Sequence, residues 1–220
     1  ILGLFDTDGY SFIQKASSGS SRGYHVHFYF HKSEDVLAYK VVELLRLGGL
    51  NPKSKRHPKK NMIIVSTSSK ALLNFLPDKK ALRNDTVIRE KFIEENMLLT
   101  VDHGVPFVAG LLDGDGFCSV VVTHKIYGSR QGGMYRFGQI GIWRWRFIQG
   151  RYLFLVDYLK KFVESIAPNS VHMRLRVNGT IEVSIRKSGI EALLDCGIAE
   201  FSWRVARWLK SVVDAKNERL

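Results

Sequence analysis

Val108-Ala109-Gly110-Leu111-Leu112-Asp113-Gly114-Asp115-Gly116 is a short apolar run closed by acid, small residue, acid and glycine. Ile1-Leu2-Gly3-Leu4-Phe5-Asp6-Thr7-Asp8-Gly9 opens the chain with a close relative of it. Glycine stands third in both, and Asp8 and Asp115 hold the same place about half of the 220 residues apart. A repeat at half-chain spacing divides the sequence into two parts of similar size, each beginning with the same element.

The run before the acids has the length of a helix of about two turns, apolar on nearly every side. Such a helix must be buried, and Gly3 and Gly110 leave room for a second backbone to approach closely. The simplest burial sets the two copies against each other about a pseudo-twofold axis. Asp8 and Asp115 then stand side by side at the helix ends, and two adjacent carboxylates favour a shared hard cation such as Mg²⁺. A calcium loop of the D-x-D-G kind does not fit. The twelfth position from Asp6 or Asp113 is Ser17 or His124, where a bidentate glutamate is needed.

Apolar residues make up 45 % of the chain, enough for a substantial core, and a formal charge of +12 calls for a polyanionic partner. Cys118 and Cys196 are too few and too widely spaced for a disulfide framework or a zinc site, which points to a reducing compartment. No apolar run approaches membrane-spanning length. The chain opens inside a motif, which leaves room for a removed targeting segment or initial residues.

After Gly9 the pattern predicts a strand over 10–16 and a loop at Ser17–Gly23. A second strand, Tyr24–His31, has Val26, Phe28 and Phe30 on one face and His25, His27, Tyr29 and His31 on the other. Ser33 or Asp35 is the expected cap of a helix to Arg46 that stops at Gly48-Gly49. A basic stretch spans Pro52–Lys60, a strand 61–67, a helix opened by Ser68 or Ser69, and a helix 85–98. Gly104 and Pro106 mark 99–106 as a linker. The second part repeats the order, with strands 117–124 and 135–147, a helix 151–166 and a hairpin 171–186 turning at Asn178-Gly179. Helices near 189–194 and 202–216 follow. Trp143, Trp145 and Phe147 are read on the core face of their strand, with Arg144 and Arg146 on the outward face.

Two such motifs at this spacing, in this order of elements, resemble the LAGLIDADG homing endonucleases in their single-chain, two-motif form. Leu2 departs from the small residue usual in the family, where the second copy has Ala109. The resemblance implies an α+β fold of two pseudo-symmetric αββαββα halves, 1–98 and 107–220. Each half is a four-stranded antiparallel sheet with helices on one face, and together they form a saddle for double-stranded DNA. It implies a monomeric, intron-encoded, Mg²⁺-dependent endonuclease that makes a double-strand cut in a long asymmetric site. The location implied is an organelle (mitochondrion or chloroplast) or a prokaryotic cytoplasm. An intron RNA-splicing maturase and a non-cleaving DNA-binding protein are the alternatives on the same scaffold.

By the same resemblance Asp8 and Asp115, with Gly9 and Gly116 beside them, hold two or three Mg²⁺ ions. Gln149 and Lys32 take the water-positioning place, and Arg83 and Arg204 the basic place near developing charge. Asp6 and Asp113 are expected to bond nearby backbone. DNA contacts are expected from Gln14, Arg22, His25, His27, Tyr29, His31, Lys53, Lys55, Arg56, Lys59 and Lys60 in the first half. In the second half they are expected from Ser119, Thr123, Lys125, Arg130, Arg144, Arg146, Arg174, Arg176 and Arg186. His25 and His27 also have a spacing that suits zinc, but no carboxylate or thiol near them in sequence completes a set.

Overall fold

The computed structural model describes residues 1–15, 22–76, 85–124, 134–145, 151–175 and 180–217. The chain divides into two compact units, Ile1–Lys79 and Lys80–Leu220.

In the first unit α1 (Leu2–Asp8) runs straight into β1 (Gly9–Lys15), and β2 (Arg22–His31) returns beside it. A 3-10 turn (Lys32–Glu34) leads to α2 (Asp35–Leu47), followed by β3 (Lys53–Arg56), β4 (Met62–Ser68) and α3 (Lys70–Phe75). The sheet order is β1-β2-β4-β3, antiparallel throughout. Strict alternation in β2 does the sorting: Val26, Phe28 and Phe30 are buried, while His25, His27 and Tyr29 are only half-buried. Phe5 of α1 packs edge-on against Phe28, and α2 buries Leu37, Ala38, Val41, Val42 and Leu45 over the same face. Each of those larger aliphatic side chains contributes about 2 kcal/mol of transfer free energy.

Neither Ser33 nor Asp35 caps α2. His31 does the work one turn earlier: its Nδ1 accepts from the Ser33 amide, and Glu34 reaches back to the His31 amide at 3.0 Å. The reciprocal pair satisfies two donors at once, which a lone serine cannot.

In the second unit α4 (Thr86–Glu95), capped by Asp85, precedes α5 (Val101–Asp115). Then come β5 (Gly116–His124), β6 (Met134–Trp145), α6 (Arg151–Ile166), β7 (Val171–Leu175) and β8 (Thr180–Ile185). Three helices finish it: α7 (Lys187–Asp195), α8 (Ile198–Phe201) and α9 (Trp203–Asn217). The sheet order β5-β6-β8-β7 repeats that of the first unit. The Asn178-Gly179 turn lies outside the described residues.

The stretch 99–106, expected as a linker, is helical from Val101, and the motif helix is twice the anticipated length. Pro106 forgoes one bond, to an exposed early turn, which burial of Val105, Phe107 and Val108 outweighs. Gly104 serves packing: a Cβ there would lie 2.5 Å from the Leu98 carbonyl and strike the Phe162 ring. Tyr158 donates to that same carbonyl at 2.7 Å, and Phe107 meets the Tyr158 ring edge-on.

The register of the second sheet reverses the expected faces of β6. Arg144 pairs with Ile181 and Trp143 with Glu182, and directly paired residues share a face. Arg144 therefore falls in the row of Val183 and Ile185, and Trp143 and Trp145 in the row of Glu182 and Thr180. Alternating Trp and Arg carries no clear polar signal of its own, so the partner strand decides.

Candidate functional site

Both motif helices end in the same way. At Gly9 and Gly116 the chain passes directly into extended backbone, with φ −85° and −80°. No left-handed residue is involved, so conformational freedom does not explain the glycines. Space does. The amide of each donates to a carbonyl four residues back, Phe5 or Leu112. A Cβ would lie 2.6 Å from the Phe5 oxygen or 2.5 Å from that of Leu112. Only glycine lets a strand start this close to the helix it leaves.

Asp8 and Asp115 are thereby the last helical residues of their motifs, each half-buried. A carboxylate at a helix C-terminus sits among partial negative charges, an arrangement that a cation relieves. Carboxylate and backbone oxygens are the hard donors that suit Mg²⁺. Among the described residues no three His, Cys, Asp or Glu side chains cluster as a metal site.

The first acid of the second motif has a different task. Asp113 is 4 % exposed and accepts from Ser202 Oγ at 2.6 Å, the Trp203 amide at 3.0 Å and the Arg204 amide at 2.9 Å. It caps α9 from about ninety residues away, and its negative charge faces the positive end of that helix. Burial raises its pKa, opposed by the bonds from Ser202, Arg204 and Trp203 and by the Arg204 charge. Arg204 answers in kind, its Nη2 donating to the carbonyls of Asp113 at 2.8 Å and Gly114 at 3.4 Å. Burial pushes the neighbouring Cys118 thiol up to about 12, so it is a protonated side chain and not a nucleophile at neutral pH.

The sheet face opposite the core carries a row of rings in the first unit. Register puts Tyr10, Phe12 and Gln14 of β1 alongside His27, His25 and Gly23 of β2. Phe12 stacks on His25 with centroids 4.8 Å apart and meets His27 edge-on at 5.3 Å. His27 Nδ1 lies 3.2 Å from the Tyr29 hydroxyl, and Tyr10 is 54 % exposed. Burial lowers the His27 pKa, with His25 and Lys55 adding to the effect. Ser66, paired with both His27 and Lys53, joins this face to β3, and Lys53 and Lys55 are exposed. Tyr10 and Phe12 join this face without being expected there, because Tyr-Ser-Phe-Ile-Gln-Lys has no clean alternation to assign the faces of the strand. Pairing them with the His-rich strand was the available signal.

Other expected residues fall as follows. Lys32 is exposed just past β2, and His31 is committed to its capping box. Gln14 is exposed on β1. Arg56 pairs with Ile63 and so belongs to the row opposite to that of Lys55. The amides of Lys59 and Lys60 both donate to His57 Nδ1 at 3.1 Å, fixing the β3–β4 turn with both residues exposed. Arg174 is exposed opposite Glu182, and Arg186 donates to the Asn169 carbonyl at 3.3 Å. For Arg22, Ser119, Thr123 and Arg144 the backbone positions in β2, β5 and β6 are described. Arg83, Lys125, Arg130, Arg146, Gln149 and Arg176 lie outside the described residues. No helix among the described residues is long and apolar enough to cross a membrane.

No protein-family model matches this sequence, and no curated protein matches it. Solved structures do. The LAGLIDADG meganuclease I-AabMI bound to uncleaved DNA is similar over 99 % of this chain and 90 % of its own, at 15 % identity and a TM-score of 0.56. Meganuclease I-SmaMI bound to uncleaveable DNA covers 99 % of this chain and 89 % of its own, with 12 % identity and a TM-score of 0.58. I-DmoI in complex with DNA and Mn covers 86 % and 89 %, with 16 % identity and a TM-score of 0.51. At such identities the likeness establishes the fold: this chain has the architecture of the LAGLIDADG meganucleases.

Proposed function

We propose that this chain, built on the LAGLIDADG meganuclease fold, is a monomeric homing endonuclease making a double-strand cut in a long, asymmetric DNA site. The observation that carries the reading is the repeated helix-to-strand reversal. At Gly9 and again at Gly116 a motif helix ends in an acid and opens a sheet of the same strand order. In this reading the repeats 1–98 and 107–220 are the functional halves, and 99–106 leads into the second motif. Each half contributes one acid to the cutting of one DNA strand.

Asp8 and Asp115 would hold the divalent ions, with the backbone of Gly9 and Gly116 beside them. Bound Mg²⁺ would polarise the scissile phosphate, acidify an attacking water and neutralise the leaving oxygen. The chain's own side chains do the rest. Gln149 and Lys32 orient water, and Arg83 lies near the phosphate. The exposed faces of the two sheets take up the duplex, Lys53, Lys55, Lys59, Lys60, Arg22 and Arg130 meeting phosphates. Base edges fall to Gln14, His25, His27, Tyr29, Ser119, Thr123, Lys125, Arg146, Arg174, Arg176 and Arg186, Arg144 being excluded by its place in the core row. An intron host and an organellar or prokaryotic setting belong to the same reading.

Incubating the protein with a randomised duplex library and Mg²⁺, then sequencing the cleaved ends, tests the proposal. A single long asymmetric site recovered only with metal supports it. Tight binding to one sequence with no cutting in any divalent ion would leave a DNA-binding protein, and restored splicing of an intron RNA would indicate a maturase.

A further inference from the structure

A helix leaves its last carbonyls without intrahelical donors, and a half-buried end must find them elsewhere. In α5 the Gly116 amide serves Leu112. The next two carbonyls, of Asp113 and Gly114, face a chain that has already turned into β5. Arg204 Nη2 reaches both. The backbone amide of Arg204 is meanwhile held by the Asp113 carboxylate at 2.9 Å. The residue is thus tied at its main chain and at its guanidinium to the two residues immediately before Asp115. Two helix ends are locked together, an acid at the positive end of α9 and a cation at the negative end of α5.

We propose that Arg204 is a positioning residue for Asp115: it fixes the peptide from which that carboxylate projects, in place of the phosphate-facing role the family resemblance suggests for it. The inference rests on the nuclease reading and revises one of its residues. A donor that serves carbonyls acts with or without DNA, whereas a charge that serves phosphate acts only on the bound duplex, so the two roles separate in the free protein. Lysine, a donor somewhat shorter than the Arg204 guanidinium, keeps part of a positioning role, and the glutamine amide, shorter still, keeps less.

The test compares full-length Arg204→Leu, Arg204→Gln and Arg204→Lys with the unsubstituted chain. Amide hydrogen exchange at Asp115 and Gly116 is read without DNA, and exchange in α6 reports whether the fold is kept. Rates for each strand are then measured on an end-labelled duplex carrying the selected site, with Mg²⁺. Arg204→Leu is expected to speed exchange at those amides and to slow one strand's cut about 100-fold, the other strand and DNA affinity being little changed. Arg204→Lys is expected to restore part of both the protection and the rate, and Arg204→Gln less of each. Unchanged exchange in Arg204→Leu, or a rate lost in any variant whose exchange at those amides matches the unsubstituted chain, overturns the proposal. If Arg204→Leu does not fold, the same comparison of exchange with rate in the glutamine and lysine variants decides. An unsubstituted chain that cuts nothing, with exchange altered as expected, removes the nuclease reading and leaves the positioning role standing.

Discussion

Asp113 pays for its burial with three hydrogen bonds, and its neighbours depend on them as much as it does. Removing the carboxylate orphans the Ser202 hydroxyl and two amides at the start of α9. Asp113→Ala is expected to cost about 3 kcal/mol and Asp113→Asn about 1 kcal/mol, read as shifts of the urea midpoint. His27 offers a pH-dependent counterpart. Burial holds its folded pKa below the ordinary histidine value of 6.5, so the unfolded chain binds the proton more readily. Its contribution to stability is complete above that value and declines as pH falls below it. An NMR titration should place its midpoint below 6.5, and Lys55→Ala should move it upward by removing a nearby positive charge. The backbone-bonding role of Asp113 was legible in its place on the motif helix. Its partners Ser202, Trp203 and Arg204, about ninety residues away, were not, because no local pattern records a cap supplied by another part of the chain.

The elements were legible where burial is one-sided. β2, with Val26, Phe28 and Phe30 inward, and α6, with its long amphipathic run, follow directly from their periods. Gly104 and Pro106 misled because turn-forming residues also serve packing, and tertiary burial carried the helix through them. Trp143–Trp145 misled because a strand's faces are settled by its partner's register. The motif glycines were legible as helix ends, but the reason is steric. Gly116→Ala should cost about 1–3 kcal/mol by forcing β5 away from the Leu112 carbonyl, measurable by denaturant unfolding. The ring row on β1 and β2 carries its own prediction. Apolar surface in the major groove is matched by thymine methyl groups. Exchanging thymine for uracil in the first unit's half of the selected site should weaken binding about fourfold per contacted methyl. That penalty should vanish in Phe12→Ala; a penalty that persists there would place the rings away from the bases.

For the molecule as a whole, the repeat and the +12 charge were the most legible features, since both are properties of the entire chain. Positive charge of this size should give a steep salt dependence, with log K falling against log salt at a slope of about −5 or steeper. A shallow slope would mean that the basic surface does not follow a DNA backbone. A double-strand cut requires one acid from each half. Cleavage of a supercoiled plasmid bearing the selected site, with Mg²⁺, by Asp8→Asn, Asp115→Asn and the double variant measures that requirement. Each single variant is predicted to bind the site normally yet fail to linearise the plasmid, and the double variant to leave it supercoiled. Linearisation by the double variant at the unsubstituted rate would show that neither acid takes part in cutting.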